Sequence, residues 1–152
     1  MRYPFFTISI GFVVNVCLMG STVAQTSGSS LGDSSLPAPK DLSCPQASNC
    51  VNSLSDSGLL PLHYAGNPAQ GMALLLATLA SYPEARVVSS GPLRLQVIFT
   101  TMLGFKDQVD FVVDGPTNQI AYRSRSLVGT FDFGKNRSRM TEFAQRFEAG
   151  AR

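Results

Sequence analysis

The chain has 152 residues, only 14% of which are charged, and its formal net charge at neutral pH is +2. This charge is too small for a protein that binds nucleic acid mainly through the phosphates, so we predict no nucleic-acid partner. The length is sufficient for one folded domain with a single hydrophobic core.

Residues 1–24 have the pattern of an export signal peptide. Arg2 supplies the positive start, an apolar run covers residues 5–19, and Ala24 completes a small-residue cleavage site. A retained anchor is disfavoured because the apolar run is shorter than the roughly 20 residues of a membrane-spanning helix. A lipid-modified Cys17 is disfavoured because no small residue precedes it. We predict cleavage after Ala24, no transmembrane span in the mature chain, and a periplasmic or secreted location, either free or associated with the envelope.

Residues 25–40 are rich in serine, glycine and proline and contain no aromatic residue. Such a segment buries too little apolar surface to offset the entropy lost on ordering, so we predict a flexible tether. The single folded domain is predicted to cover residues 41–149.

Signal cleavage would leave two cysteines, Cys44 and Cys50, in the mature chain. Five residues separate them, whereas zinc ribbons and thioredoxin-type redox pairs have two intervening residues. The one histidine, His63, cannot complete a four-ligand metal site. We favour a structural disulfide over a redox pair or a metal site, because export leads to an oxidising compartment. No metal and no cofactor are predicted.

One helix is predicted before the strands and one after them. The first begins after Asn67, which can cap it together with Gln70, and continues with Met72 and leucines at helical spacing. It should end before Pro83, because a residue that precedes proline is pushed out of the helical region. The second helix is predicted over residues 136–150, where apolar residues recur at the i, i+3, i+4 and i+7 positions.

Two hairpins are predicted between the helices. One joins residues 86–90 to residues 93–101, and the other joins residues 108–114 to residues 119–129. Together these elements indicate an α+β fold, in which an antiparallel sheet of four or more strands packs against two helices as a two-layer sandwich.

The second hairpin also has a predicted register. If Asp114 pairs with Gln119, apolar residues face one another and Asp110 lies opposite Arg123. The predicted apolar pairs are Val113 with Ile120 and Phe111 with Tyr122. A shift by one residue would separate both the apolar and the charged pairs.

Positive charge is concentrated in residues 122–140, which contain five of the twelve Lys and Arg residues and one acidic residue, Asp132. Three of the basic residues lie at the predicted helix start, where the helix dipole makes positive charge unfavourable. They are Lys135, Arg137 and Arg139. On the preceding strand, Arg123 and Arg125 share one face, and Ser124 and Ser126 share the other. We predict that this strand and the helix start converge around Asp132 to form an Arg-rich corner.

Two interpretations of the Arg-rich corner stay open. The arginines can be neutralised in a structural ionic network by Asp132 together with Asp107 and Asp110. Alternatively, the corner binds an anionic small molecule or envelope component through arginine side chains and helix N–H groups. The candidate residues for either role are Arg123, Ser124, Arg125, Ser126, Asp132, Asn136, Arg137, Arg139 and Asp110.

Three segments, CPQASNCVNS, GFKDQVDF and YRSRSLVGTFDFGKNRSRM, resemble successive signatures of the domain-of-unknown-function family numbered 1499. The likeness covers roughly residues 41–149, and the last segment is the specific part. Leu127 stands where the family usually has a second arginine, and Arg125 lies two positions earlier on the same strand face. The resemblance implies an exported or membrane-associated protein with a compact fold, and it supplies no activity. The matching residues of the last segment are Arg123, Ser124, Ser126, Gly129, Asp132, Gly134, Asn136 and Arg139.

Signals for catalysis are weak in this chain. His63 lacks a neighbouring nucleophile or carboxylate motif, and the chain has neither a nucleophile elbow nor a phosphate-binding glycine loop. Ser124 and Ser126 lie beside arginines but have no recognisable base. We therefore favour an exported non-catalytic domain, with no catalytic residue assigned, whose Arg-rich corner stabilises the fold or binds an anionic ligand. The alternative is a small envelope hydrolase or transferase that uses the same Arg, Ser and Asp residues.

Overall fold

The computed structural model describes residues 41–54 and 57–152. The predicted signal peptide, residues 1–24, and the predicted tether, residues 25–40, lie outside the described residues. Both therefore stay predictions, as does the lower boundary of the folded domain.

Six antiparallel strands form one layer of the fold, in the order β1-β6-β5-β4-β3, and the short strand β2 also pairs with β6. The strands are β1 (Cys50–Asn52), β2 (Leu62–His63), β3 (Ala85–Ser90), β4 (Arg94–Thr100), β5 (Lys106–Asp114) and β6 (Gln119–Ser126). The four predicted strands are all present. Strands β1 and β2 were not predicted, because two or three residues are too few to show an alternating pattern.

Two helices form the second layer, which confirms the predicted α+β sandwich. Helix α1 covers Pro68–Leu79, and Asn67 and Gln70 form the predicted reciprocal capping box at its start. Helical spacing places Met72, Leu75, Leu76 and Leu79 on one apolar stripe. Leu76 is exposed, and the other three are buried, so the buried stripe is narrower than predicted. Helix α2 covers Lys135–Gly150 and buries Met140, Phe143 and Phe147.

The predicted register of the second hairpin is confirmed. Asp114 pairs with Gln119, and Asp110 lies opposite Arg123. The register also places Asp107 opposite Ser126.

Alternate residues of the sheet point to opposite faces. Phe111 and Tyr122 point to the face that we call the helix face, where they join Phe143 and Phe147 in the main core. The other face, which we call the outer face, carries a smaller cluster around Val112. Residues of β6 therefore alternate between the two faces from Ile120 onward.

Cys44 and Cys50 form the predicted disulfide. The loop that it closes holds the segment between β6 and α2, because Asn49 donates to the Gly129 carbonyl at 2.6 Å. The Ser48 hydroxyl also donates to the Thr130 carbonyl. The bridge thus rigidifies the surroundings of the helix start as well as its own loop.

Replacing both cysteines with serine is expected to lower the free energy of unfolding by about 2 kcal/mol, because the short loop then gains entropy in the unfolded chain. Urea unfolding followed by circular dichroism measures this change. Reductant added to the natural protein serves as the control and should produce the same loss. An unchanged unfolding midpoint in both experiments would contradict a stabilising role.

Candidate functional site

The first ionic network lies on the outer face and is centred on two buried residues, Arg123 and Asp110. Arg123 donates from Nε and Nη2 to Asp110 Oδ2 at 3.2 and 2.7 Å. The other carboxylate oxygen, Oδ1, accepts from the side-chain amides of Gln96 and Gln108 at 2.9 and 2.8 Å. Both oxygens of this buried carboxylate therefore have partners. We call these residues the outer network.

Arg123 also fastens the first described residues across the outer face. Its Nη1 donates to the backbone carbonyls of Asp41 and Ser43 at 3.2 and 3.0 Å. Leu42, between them, is buried in the small cluster with Val112. The guanidinium group therefore binds a carboxylate and two carbonyl groups at once.

Arg125 lies on the same face of β6 but is less well paired. It is half-buried, and its Nη2 donates to Gln108 Oε1 at 3.3 Å. Its Nε is buried and has no hydrogen-bond partner among residues 41–54 and 57–152. Arg125 is therefore held less firmly than Arg123 on this face.

The second ionic network lies on the helix face and is centred on Arg139 and Asp107, both buried. Arg139 Nη2 donates to Asp107 Oδ2 at 2.6 Å, and Ser126 Oγ donates to Asp107 Oδ1 at 2.6 Å. The Arg139 guanidinium lies over the ring of Phe99, 4.9 Å from its centroid. We call Asp107, Ser124, Ser126, Asn136 and Arg139 the inner network.

Asn136 connects the inner network to the surrounding loops. It is completely buried, and its Oδ1 accepts from Ser124 Oγ at 2.6 Å and from Arg139 Nη1 at 3.3 Å. Its Nδ2 donates to the Asn49 carbonyl at 3.1 Å and to Asp132 Oδ2 at 2.7 Å. One amide side chain thereby joins β6, α2 and the disulfide loop.

Asp132 caps the start of α2. Its Oδ1 accepts from the Gly134 N–H at 3.1 Å, and its Oδ2 accepts from the Asn136 N–H at 2.8 Å. A carboxylate here also offsets the positive end of the helix dipole. The predicted anion site would use N–H groups at the helix start. Two of these N–H groups are instead bound by the Asp132 carboxylate.

The start of α2 does converge with β6 near Asp132, because the Asn136 side chain hydrogen-bonds Ser124 and Ser126 as well as Asp132. The predicted participation of the strand arginines in this corner is wrong. Arg123 and Arg139 bind two other carboxylates, Asp110 and Asp107, on opposite faces of the sheet. The reason is strand geometry, because Tyr122 packs in the helix-face core and the next residue must point to the other side. The predicted single corner is two separate networks, with the serines of β6 facing α2 and its arginines facing away.

Arg137, the remaining candidate arginine, lies on the exposed side of α2. Its Nη1 donates to the Ser57 carbonyl at 2.6 Å. It lines an open groove of about 430 Å³ together with Ser138, Thr141 and Glu142. Of the candidate arginines, Arg137 alone lines this groove, and the buried Arg123 and Arg139 do not.

Sequence reasoning named Asp107 as a countercharge but missed three residues that the networks use: Asn49, Gln96 and Gln108. The predicted register already implied one of them, because it sets Gln108 opposite Arg125. Gln96 becomes visible only from the pairing of β4 with β5. Asn49 has no sequence signal, because it acts through the backbone of an irregular loop.

The described part of the chain is therefore a two-layer α+β domain with one disulfide and a buried ionic network on each face of its sheet. The family model described as "Protein of unknown function (DUF1499)" matches residues 42–147. The chain belongs to this family, as the resemblance indicated. The matched residues include both networks and the disulfide.

No curated protein matches the chain. Among the described residues, neither helix is long and apolar enough to span a bilayer.

Proposed function

We propose that the chain is an exported non-catalytic domain whose two buried arginines stabilise the fold rather than bind a ligand. The observation that carries this proposal is the separate pairing of Arg123 with Asp110 and Arg139 with Asp107. An anion site needs a guanidinium edge that a ligand can reach. Both groups are buried, and their donors already bind acceptors of the chain.

The disulfide supports export, because such bonds persist in oxidising compartments and are rare in reducing ones. The pattern of residues 1–24 supports the same location, with a charged start, an apolar run and a cleavage site. These two observations are independent, since one lies in the folded domain and the other in the N-terminal segment.

The serines of the inner network favour a structural role over the alternative hydrolase or transferase. Ser124 is completely buried, and its hydroxyl donates to Asn136. Ser126 donates to Asp107, whose carboxylate also holds Arg139. Tyr122, on the same face, stays neutral because burial raises its pKa to about 12. A nucleophile needs a base and access to a substrate. The hydroxyl groups of Ser124 and Ser126 are instead hydrogen-bonded to other side chains of the inner network.

Expression of the full chain in a bacterium, followed by fractionation and mass spectrometry, tests this proposal. We expect a product that starts at residue 25 in the periplasmic or secreted fraction. Its cysteines should react with thiol reagents only after reduction. The matched control is Ala24→Arg, which should block cleavage because the peptidase requires a small residue at that position. A full-length cytosolic product with three free thiols, Cys17 among them, would overturn the export part.

A native mass spectrum of the same product, purified from the envelope fraction, tests the structural role of the arginines. We expect the mass of the polypeptide alone. A retained anionic molecule that is lost in Arg139→Ala, with the unfolding midpoint unchanged, would overturn the structural interpretation in favour of an anion site.

A further inference from the structure

Two neighbouring loops at one end of the sheet expose a group of large apolar side chains. The first loop, residues 101–105, joins β4 to β5, and the second, residues 127–134, joins β6 to α2. The loops are adjacent, because the Leu127 N–H donates to the Lys106 carbonyl at 3.0 Å. We call this region the apolar end. Its side chains that are more than half exposed are Met102, Leu103, Phe105, Val128, Phe131 and Phe133.

The fold itself does not explain these side chains. Phe131 and Phe133 pack edge to face on one another, with ring centroids 5.0 Å apart, and neither belongs to the core. Leu103 is 83% exposed, and Met102 is fully exposed. A group of exposed large apolar side chains on adjacent loops points to a site of interaction with a protein or a membrane.

Phe133 also has an unusual backbone conformation. Its φ is +54°, in the left-handed region that bulky residues rarely adopt and that costs on the order of 1–2 kcal/mol. Its side chain is 89% exposed, so burial within the described residues does not offset this cost. Strained residues without a packing role are concentrated at functional sites.

The charges beside the apolar end favour a lipid surface over a protein partner. Lys106 and Lys135 flank the two loops and are exposed. Two nearby carboxylates are already bound, Asp132 to the start of α2 and Asp107 to Arg139. A third, Glu84, is exposed beside Thr100 at the base of the first loop. Lysine is depleted in the cores of protein interfaces, whereas it extends readily from an apolar surface to lipid phosphates.

We propose that the apolar end inserts into the interface of a bilayer that contains anionic phospholipids. Met102, Leu103 and Phe133 would enter the acyl-chain boundary, and Lys106 and Lys135 would contact the phosphates. Lipid accommodates protruding side chains without a complementary shape, which suits two convex loops better than a pocket would. The proposal goes beyond the structural role of the arginines and does not depend on it.

A single tryptophan gives a local test, because the chain contains none. Phe133→Trp introduces one fluorophore at the apolar end. Leu93→Trp is the matched control, since Leu93 is 44% exposed in the turn before β4, at the opposite end of the sheet. Each full-length variant is mixed with vesicles of equimolar phosphatidylcholine and phosphatidylglycerol whose acyl chains carry bromine. We expect a blue shift and quenching for Phe133→Trp and neither for Leu93→Trp.

The local readout is needed because the apolar run at residues 5–19 would itself bring the chain to vesicles in a sedimentation assay. Adding Leu103→Ser to Phe133→Trp should raise the lipid concentration at half-maximal quenching roughly tenfold, as expected for removal of one buried leucine side chain. Neutral vesicles and added salt should weaken it as well. If Phe133→Trp does not fold, Met102→Trp on the other loop replaces it.

Three outcomes would overturn the proposal. The first is a Phe133→Trp emission that vesicles do not change, and the second is equal quenching of the two probes. The third is a blue shift that appears without lipid and grows with protein concentration. That result would assign the apolar end to contacts between copies of the chain.

Discussion

Replacing Arg139 with alanine is expected to lower the free energy of unfolding by about 3–5 kcal/mol. The guanidinium lies 2.6 Å from Asp107, and its loss leaves that buried carboxylate without a countercharge. Asn136 and Phe99 would also lose a contact with the guanidinium. Urea unfolding followed by circular dichroism measures the change.

Arg137→Ala is the matched control, because it removes the same side chain from an exposed position two residues earlier in the same helix. We expect a change below about 1 kcal/mol there. Adding Asp107→Asn to Arg139→Ala should recover part of the loss, because it removes the unpaired buried charge. Equal small effects of both arginine variants would mean that the inner network does not stabilise the fold.

Arg123→Ala should have an effect of the same size, about 3–5 kcal/mol, because Asp110 would stay buried without its partner. It should also release residues 41–43 from the outer face, since the Arg123 Nη1 holds two of their carbonyls. Hydrogen exchange near Leu42 should therefore accelerate more than exchange in α2. Denaturant unfolding and exchange mass spectrometry measure the two effects.

Arg125→Ala is the control on the same strand face, where one contact of 3.3 Å to Gln108 predicts a smaller loss of about 1 kcal/mol. The milder variants Arg123→Lys and Arg139→Lys test whether the networks are separate. Their effects should add within about 0.5 kcal/mol, because the two arginines share no partner. A clearly non-additive effect of the double variant would mean that the two arginines are energetically coupled, as a single Arg-rich corner requires.

Local signals in the sequence predicted much of the fold. Asn67 and Gln70 marked the start of α1 because a capping box is a short-range interaction. The hairpin of β5 and β6 had one register that matched apolar with apolar and Asp110 with Arg123. Cys44 and Cys50 were paired by elimination in an oxidising compartment. Each of these inferences rests on residues close together in the chain.

The candidate site was predicted less well, because its arrangement depends on which face of the sheet α2 covers. Tyr122 already fixed that face, and the alternation of the strand then required Arg123 to point away from the helix. The prediction correctly joins the serines of β6 to the start of α2, and it is wrong only in adding the strand arginines to the same corner. The role of Asn136 depends on the Asn49 carbonyl, 87 residues earlier, and no local pattern encodes such a contact.

The hydrogen bonds of Arg123 to the Asp41 and Ser43 carbonyls span 82 and 80 residues. During synthesis, residues 41–43 therefore cannot reach their final place until β6 has emerged from the ribosome. The Asp107 carboxylate must wait for Arg139, which comes 32 residues later. Closing a loop of this length costs conformational entropy before the stabilising contacts form, and this cost slows folding. The strands β3 to β6 pair with their neighbours in sequence and can form early, whereas the inner network is completed only once α2 is available.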